Sequence, residues 1–226
     1  MAIVFFDFDS TIVSYETLDH ALAHVLRDHP DKKRMIAEIE DITRLGMEGK
    51  ADFREGVRRR VAVVPLTKSV LEETGEAMLS EITPGMRHVF EWLRERGHEL
   101  FIVSGGFREC VVPVAQSLGV ADDHVFTNQF LFSQDGAMCG FDETSLLWTS
   151  EGKTPILKAI RGKYPKETII MIGDGANDLK AYESGAADHF IGFGGHVVRD
   201  IVKAKAPSFA YSTKELLSHL EKFFVQ

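Results

Sequence analysis

The sequence predicts an α/β fold: a parallel sheet with helices on both faces and a small helical insertion after the first strand. Short apolar runs rich in β-forming residues alternate with segments of helical spacing, a pattern typical of strand–helix units. One long stretch, residues 16–80, contains helical spacing and no such apolar run. The length of 226 residues fits one main domain that carries an insertion.

The first predicted element is a buried strand over residues 3–6, which ends in the polar turn of residues 7–11. We predict about four helices in the insertion that follows, because its apolar residues recur on single helical faces. In its first segment that face comprises Leu18, Leu22, Val25 and Leu26. Residues 83–85, Thr-Pro-Gly, return the chain to the main domain.

From this point helices and strands alternate. Strands are predicted over residues 99–103, 125–132, 137–141, 168–172 and 189–191. Helices are predicted over residues 86–96, 108–118, 153–162, 197–203 and 214–223, with one more between the last two strands. Asp135-Gly136 is a hairpin signal, so we expect the strand at 125–132 to pair with the strand at 137–141.

The composition excludes several classes of protein. A content of 44% hydrophobic and 27% charged residues excludes wholesale disorder, and a net charge of −8 argues against a general nucleic-acid binder. No apolar run approaches the ~18 residues of a membrane span. Because an apolar strand begins almost at once and no basic segment precedes it, we expect no secretory signal. Cys110 and Cys139 fit a reducing compartment and are expected to be buried thiols. We therefore expect a cytoplasmic monomer or homodimer that binds neither nucleic acid nor membrane.

Four polar clusters follow predicted strands or open predicted helices: residues 7–11, residues 104–106, Lys153 and residues 173–178. In an open α/β sheet, ligands bind beyond the carboxyl ends of the strands, so these clusters are expected to converge. Asp7 and Asp9 are two residues apart in an extended segment and share a face. Two carboxylates so close repel unless a cation or a shared proton lies between them.

The chemistry of the clusters points to phosphoryl transfer. Asp174 and Asp178 add two further carboxylates, and hard oxygen ligands in this number suit Mg²⁺, whereas the lack of a Cys/His cluster argues against zinc. The glycines of Ser104-Gly105-Gly106 let the backbone approach an anion at a helix N-terminus, and Lys153 can neutralise phosphoryl charge. Together these parts predict a reaction that proceeds through an aspartyl-phosphate.

The order Asp-x-Asp-x-Thr, a serine after a strand, a lysine, and Gly-Asp-Gly-x-x-Asp resembles the haloacid dehalogenase superfamily of phosphatases. The similarity is strongest to members that act on O-phosphoserine. Besides the four clusters it includes Glu16, Met47-Glu48-Gly49, Phe53, Arg60, Arg108, Gly140-Phe141-Asp142-Glu143 and residues 191–195. The resemblance covers nearly the whole chain. It implies a Rossmann-like core, residues 1–14 and 81–226, and a helical cap, residues 15–80.

The resemblance also implies a role for each site residue. Asp7 would be the nucleophile and Asp9 the general acid and base, with Lys153 on the phosphoryl group. Mg²⁺ would be held by Asp7, Asp174 and the Asp9 backbone carbonyl, with Asp178 in support. The other phosphoryl contacts would come from Ser104, Gly105, Gly106 and Asn177, the last replacing a threonine found in some members. The serine moiety would be bound by Glu16, Met47, Phe53 and Arg60.

The implied reaction is hydrolysis of O-phosphoserine to serine and phosphate, the last step of serine biosynthesis. One alternative is a phosphatase or phosphotransferase of the same superfamily that acts on another small phosphorylated metabolite. A second alternative, from a different class, is a catalytically idle binding module on the same fold. The intact pair Asp7 and Asp9 argues against the binding module, which has no need for two adjacent carboxylates.

Overall fold

The central sheet of the computed structural model, which describes residues 1–47 and 52–224, has six parallel strands. In chain order these are β1 (Ala2–Phe6), β2 (Glu99–Phe107), β3 (Val125–Asn128), β6 (Thr168–Gly173), β7 (His189–Phe193) and β8 (Ser208–Ala210). Their order across the sheet is β3-β2-β1-β6-β7-β8. A separate antiparallel hairpin is formed by β4 (Phe130–Phe132) and β5 (Met138–Phe141).

Strand β1 lies between β2 and β6 and is buried along its whole length. Val4 and Phe6 pack in the hydrophobic cluster on one face of the sheet, and Ile3 and Phe5 pack in the cluster on the other. Because helices cover both faces, every position of the strand must be apolar, which explains the uninterrupted run in the sequence. The α/β prediction is confirmed.

Six helices of the described part of the chain cover the sheet. They are α5 (Met86–Glu95), α6 (Arg108–Ser117), α7 (Lys153–Lys163), α8 (Ala176–Glu183), α9 (Asp200–Lys205) and α10 (Thr213–Phe224). Apolar residues of α5, α6 and α10 belong to one hydrophobic cluster, and those of α7, α8 and α9 belong to the other. The sheet is therefore wound on both sides, as its parallel pairing requires.

The insertion contains four α-helices among the described residues: α1 (Thr17–Val25), α2 (Lys32–Met47), α3 (Phe53–Val63) and α4 (Lys68–Ala77). The carboxylate of Asp52 accepts a hydrogen bond of 2.9 Å from the Glu55 N–H and so caps α3. The chain leaves and re-enters the core side by side, because Val13 and Ile82 form an antiparallel bridge. The division into a core (1–14 and 81–226) and a cap (15–80) stays a prediction.

The predicted strand at 125–132 is wrong in its pairing, because it is two strands. Residues of β3 pair in parallel with β2, and only β4, beyond Gln129, pairs with β5. Strand β2 also continues to Phe107 instead of ending at residue 103, with a shift of register between Val103 and Phe107. The two errors have different causes. The predominantly β-forming run at 125–132 does not show where the chain changes partner, whereas Ser104-Gly105-Gly106 has the composition of a loop and yet continues the strand.

Three smaller expectations also fail. Helix α9 starts three residues later than predicted, and β8, of only three residues, was not predicted. Cys110 is buried as expected, but Cys139 is exposed because it lies on the two-stranded hairpin, whose outer face is open to solvent.

Within the described residues, no helix combines the length and apolarity that a membrane span requires.

Candidate active site

The carboxyl ends of β1 and β6 are adjacent, and the acidic turns that follow them meet there. One carboxylate oxygen from each of Asp7, Asp174 and Asp178 lies within 4.8 Å of the other two. All three residues are buried. The two turns are separated by more than 160 positions in sequence, and the pairing of parallel strands brings them together as predicted.

Lys153 lies among these carboxylates and is only 2% exposed. Its Nζ is 2.7 Å from Asp7 Oδ1 and 2.6 Å from Asp178 Oδ1. Burial alone would lower the pKa of Lys153, but the two carboxylates outweigh it and hold the pKa above its ordinary value. The side chain is therefore an ammonium. A Cβ on Gly152 would overlap the Leu146 carbonyl, so a glycine is required immediately before Lys153, the first residue of α7.

Asp9 lies close to Asp7 and Asp174, whose charges act on its carboxyl group. Its Oδ1 accepts hydrogen bonds from the Thr17 backbone N–H, at 3.2 Å, and from the Thr17 hydroxyl. Burial, with the neighbouring charges of Asp7 and Asp174, raises the pKa of Asp9 to about 7 against these hydrogen bonds. A carboxyl group with this pKa can hold a proton at neutral pH and release it, which is what a general acid needs.

Arg199 joins the site and was missed by the sequence analysis. Its Nε donates a 2.8 Å hydrogen bond to Asp174 Oδ2, and its Nη2 is 3.5 Å from Glu16 Oε1. Burial raises the pKa of Asp174 to about 6, with Asp7 adding to the shift and Arg199 opposing it. Burial also raises the pKa of Glu16 well above its ordinary value. No motif marks Arg199, since an arginine beside a helix usually lies in solvent.

The cluster has an excess of negative charge. Five carboxyl groups surround two cations, Lys153 and Arg199, which leaves a formal charge of −3 when all are ionised. The carboxyl groups belong to Asp7, Asp9, Glu16, Asp174 and Asp178. The atoms available to a metal ion are hard carboxylate oxygens. Three of them, from buried residues, lie close enough together to bind one ion. The residues therefore fit a divalent cation such as Mg²⁺.

The Ser104-Gly105-Gly106 segment forms the wall beside Asp9. Ser104 is 1% exposed, and its Oγ accepts a 2.9 Å hydrogen bond from the Gly106 N–H. A Cβ on Gly106 would lie 3.7 Å from Asp9 Oδ2, which shows how closely the segment approaches the acid. A Cβ on Gly105 would lie 3.1 Å from the ring of Phe53, so this first residue of α3 packs directly against the segment.

Asn177 lies at the first turn of α8, where its Oδ1 accepts a 3.0 Å hydrogen bond from the Asp178 N–H. This leaves the amide NH₂ as the end that an anion can use. Asp178 in turn accepts from the Gly175 N–H at 3.0 Å. A Cβ on Gly173 would overlap the Asp178 carboxylate, so a glycine at the end of β6 is required for this arrangement.

Of the predicted serine-binding residues, Met47, Phe53 and Arg60 lie on helices α2 and α3 of the insertion, and Glu16 immediately precedes α1. Arg60 is 7% exposed, and its Nη1 donates to Asp19 Oδ1 at 2.7 Å and to Thr43 Oγ1 at 2.9 Å. Asp19 was not predicted, because an acid on an amphipathic helix gives no signal that it is paired. Met47 ends α2, and its side chain lies outside the described residues.

Helix α3 is held in place by ion pairs to Glu143 and by an aromatic contact to Trp148. Arg58 is exposed, and its Nη2 donates a 2.6 Å hydrogen bond to Glu143 Oε1. Arg54 adds a longer ion pair to the same carboxylate, at 3.8 Å. The Phe53 and Trp148 rings lie 6.2 Å apart between their centroids. These contacts keep Phe53 over the segment at residues 104–106.

Comparison with known proteins agrees with this geometry. A family model for haloacid dehalogenase-like hydrolases matches residues 4–183. The chain is 35% identical to human phosphoserine phosphatase over 219 residues, which cover 97% of this chain and 93% of that relative.

Solved structures give the same picture. A phosphoserine phosphohydrolase-like protein from Francisella tularensis superposes with a TM-score of 0.85 at 30% identity, covering 96% of this chain and 99% of that one. A phosphoserine phosphatase solved as a phospho-aspartyl intermediate analogue superposes with a TM-score of 0.78 at 29% identity, covering 96% of this chain and 98% of that one. The family model, the relatives and the shared architecture agree, and this chain belongs to the haloacid dehalogenase-like hydrolase family.

Proposed function

We propose that this chain hydrolyses O-phosphoserine to serine and phosphate through an aspartyl-phosphate on Asp7. The observation that carries the proposal is the buried ammonium of Lys153, in contact with Asp7 and Asp178, beside an Asp9 whose pKa is about 7. The activity of the human relative, which is similar over 97% of this chain, supports the choice of substrate. In a cytoplasmic setting the reaction would be the last step of serine biosynthesis.

In the first half-reaction, an Asp7 carboxylate oxygen attacks phosphorus and the bond from phosphorus to the serine oxygen breaks. Asp9 gives its proton to the departing serine oxygen. Lys153, the Ser104 hydroxyl and the Gly105 N–H bind the phosphoryl oxygens, where negative charge is concentrated. The products are serine and phosphorylated Asp7.

In the second half-reaction, water attacks the phosphoryl group and the bond to the Asp7 oxygen breaks. Asp9, now a carboxylate, takes a proton from this water, so each residue returns to its starting state and phosphate leaves. A pKa near 7 suits a group that must act once as acid and once as base at neutral pH.

Enzymes of this family generally use Mg²⁺, and the buried oxygen ligands fit that ion. Asp7, Asp174 and the Asp9 backbone carbonyl would hold it, with Asp178 in support. When bound, the ion supplies positive charge that brings the anionic substrate and the Asp7 carboxylate together.

Removal of divalent cations is expected to abolish turnover, and Mg²⁺ is expected to restore it. Ca²⁺ should inhibit, because it accepts bidentate carboxylates and would occupy the attacking oxygen of Asp7. Phosphate release by chelator-treated protein, measured with Mg²⁺, Ca²⁺ and both ions, checks this. Full activity in Ca²⁺ alone would contradict it.

Recognition of the serine moiety requires protein groups other than those that bind the phosphoryl group, which every phosphomonoester shares. Phosphoserine carries a net charge of about −2 near neutral pH, from a phosphate dianion, a carboxylate and an ammonium. Arg60 uses Nη1 and Nε in its contacts with Asp19, Thr43 and the Gly56 carbonyl. Among the described residues, this leaves Nη2 as the donor for a carboxylate. Glu16 is the carboxylate that would pair with the ammonium, and Phe53 and Met47 would supply an apolar wall.

Arg60→Ala is expected to cost ~2–4 kcal/mol in kcat/KM for phosphoserine, the scale of truncating a desolvated charge pair. The same change should barely affect p-nitrophenyl phosphate, which has no carboxylate. Arg59→Ala, an exposed position on the same helix, is the control and should leave both substrates unchanged. If Arg60→Ala lowers kcat/KM equally for both substrates at a normal Tm, the guanidinium does not bind the serine carboxylate.

The substrate itself is tested by phosphate release from a panel of phosphomonoesters with Mg²⁺. Phosphoserine should be the best substrate, and phosphoethanolamine, which lacks the carboxylate, should be poor. A preference for another phosphorylated metabolite, or transfer of the group to an added alcohol, would support the alternative within the family. Absence of any phosphate release would support the idle binding module.

A further inference from the structure

Asn128 is a buried polar residue that no motif marks. It ends β3 and is fully buried, and its register partner on β2 is Phe107, one residue beyond the glycine pair. Its Nδ2 donates a 2.9 Å hydrogen bond to the Gly105 carbonyl. Its Oδ1 has no hydrogen-bond partner among the described residues. Burying a side-chain amide whose oxygen has no partner costs free energy. The hydrogen bond from Nδ2 to the Gly105 carbonyl is therefore a candidate reason for an asparagine at this position.

The contact holds one particular peptide group. The Gly105 carbonyl and the Gly106 N–H belong to the same trans peptide and point in opposite directions. Asn128 binds the carbonyl on one side, and Ser104 Oγ accepts the N–H on the other, at 2.9 Å. Both ends of the peptide are therefore engaged.

This arrangement sets the hydrogen-bonding role of Ser104. Because its Oγ already accepts the Gly106 N–H, the hydroxyl hydrogen is left to be donated elsewhere. The peptide lies between two glycines, the residues whose backbone rotates most freely, so it needs an external contact to keep one orientation. On the described residues, the carboxamide of Asn128 is the side chain that supplies this contact to Gly105.

We propose that Asn128 is a positioning residue for phosphoryl transfer: it holds the Gly105–Gly106 peptide so that the Ser104 hydroxyl is presented as a donor to the phosphoryl group. The proposal rests on the role given above to Ser104. It concerns the phosphoryl group alone, so it applies to every phosphomonoester that the site accepts.

The test is Asn128→Asp, which keeps the shape of the side chain but turns an oxygen toward the Gly105 carbonyl. The variant is expected to raise the inhibition constant of inorganic phosphate by about tenfold or more, the scale of one lost buried hydrogen bond. It should lower kcat/KM by a similar factor for phosphoserine and for p-nitrophenyl phosphate. Loss on phosphoserine alone, or an unchanged phosphate inhibition constant, would overturn the proposal.

A double-mutant cycle separates this role from a general loss of stability. If Asn128 acts through Ser104, then Asn128→Asp should have little further effect on phosphate inhibition when Ser104→Ala is already present. Independent, additive losses would refute the coupling. Asn128→Ala, which removes the donor without adding charge, enters the same cycle should Asn128→Asp fail to fold.

Asp188→Ala is the matched control. Asp188 accepts hydrogen bonds from the Ile169 N–H at 2.8 Å and from Arg161 at 2.7 Å, at the opposite end of the strands. Its loss should lower Tm without changing the phosphate inhibition constant. Because phosphate inhibition and p-nitrophenyl phosphate hydrolysis do not depend on the natural substrate, rejection of phosphoserine by the wild type would leave this test intact.

Discussion

Asp7→Asn is expected to lower kcat on the order of 10⁴-fold or more, because an amide cannot form the acyl phosphate. The fold should survive the change. The Phe8 N–H donates to Asp7 Oδ1 at 2.7 Å, and Lys153 Nζ is at the same distance from that oxygen, and an asparagine oxygen can accept from both. Tm should therefore remain close to that of the wild type.

Rapid acid quench of the wild type with labelled phosphoserine, followed by peptide mapping, should find the phosphoryl group on the peptide that contains Asp7. The variant should show no label. Fluoroberyllate, which mimics an aspartyl-phosphate, should inhibit the wild type strongly. Substantial turnover or a labelled peptide in Asp7→Asn would exclude the covalent mechanism.

Asp9→Asn is expected to reduce the rate of the first half-reaction by about 10²–10⁴-fold with phosphoserine and far less with p-nitrophenyl phosphate. An alkoxide leaving group needs a proton from Asp9, whereas p-nitrophenolate leaves without one. Burial raises the pKa of Asp9 to about 7, so a substantial fraction of the carboxyl groups carries that proton at neutral pH. Single-turnover rates with both substrates measure the difference.

The Asp9 comparison contains its own control. The backbone carbonyl of Asp9 and any metal that it helps to hold are common to both substrates, so damage to the metal site lowers both rates together. Only loss of the general acid separates the two substrates. Equal losses would mean that Asp9 positions the metal and donates no proton.

The sequence alone determined those features that depend on residue type and on the order of residues along the chain. Strand β1 was predictable because burial on both faces forces an unbroken apolar run. Asp7, Asp174 and Asp178 were predictable because polar residues beyond the ends of buried strands meet at one edge of a parallel sheet. Lys153 was predictable because it opens a helix of the same strand–helix pattern. Four helices in the insertion followed from the 3.6-residue period of its apolar residues.

Only the tertiary structure decided which polar groups pair across the fold. Arg199 meets Asp174 over 25 positions, Arg60 meets Asp19 over 41, and Asn128 meets Gly105 over 23. The tertiary structure also decided that β3 pairs with β2 whereas β4 pairs with β5. The physical reason is that hydrophobic periodicity records whether a position is buried and in what local geometry, whereas a hydrogen bond or ion pair depends on where two distant segments come to lie.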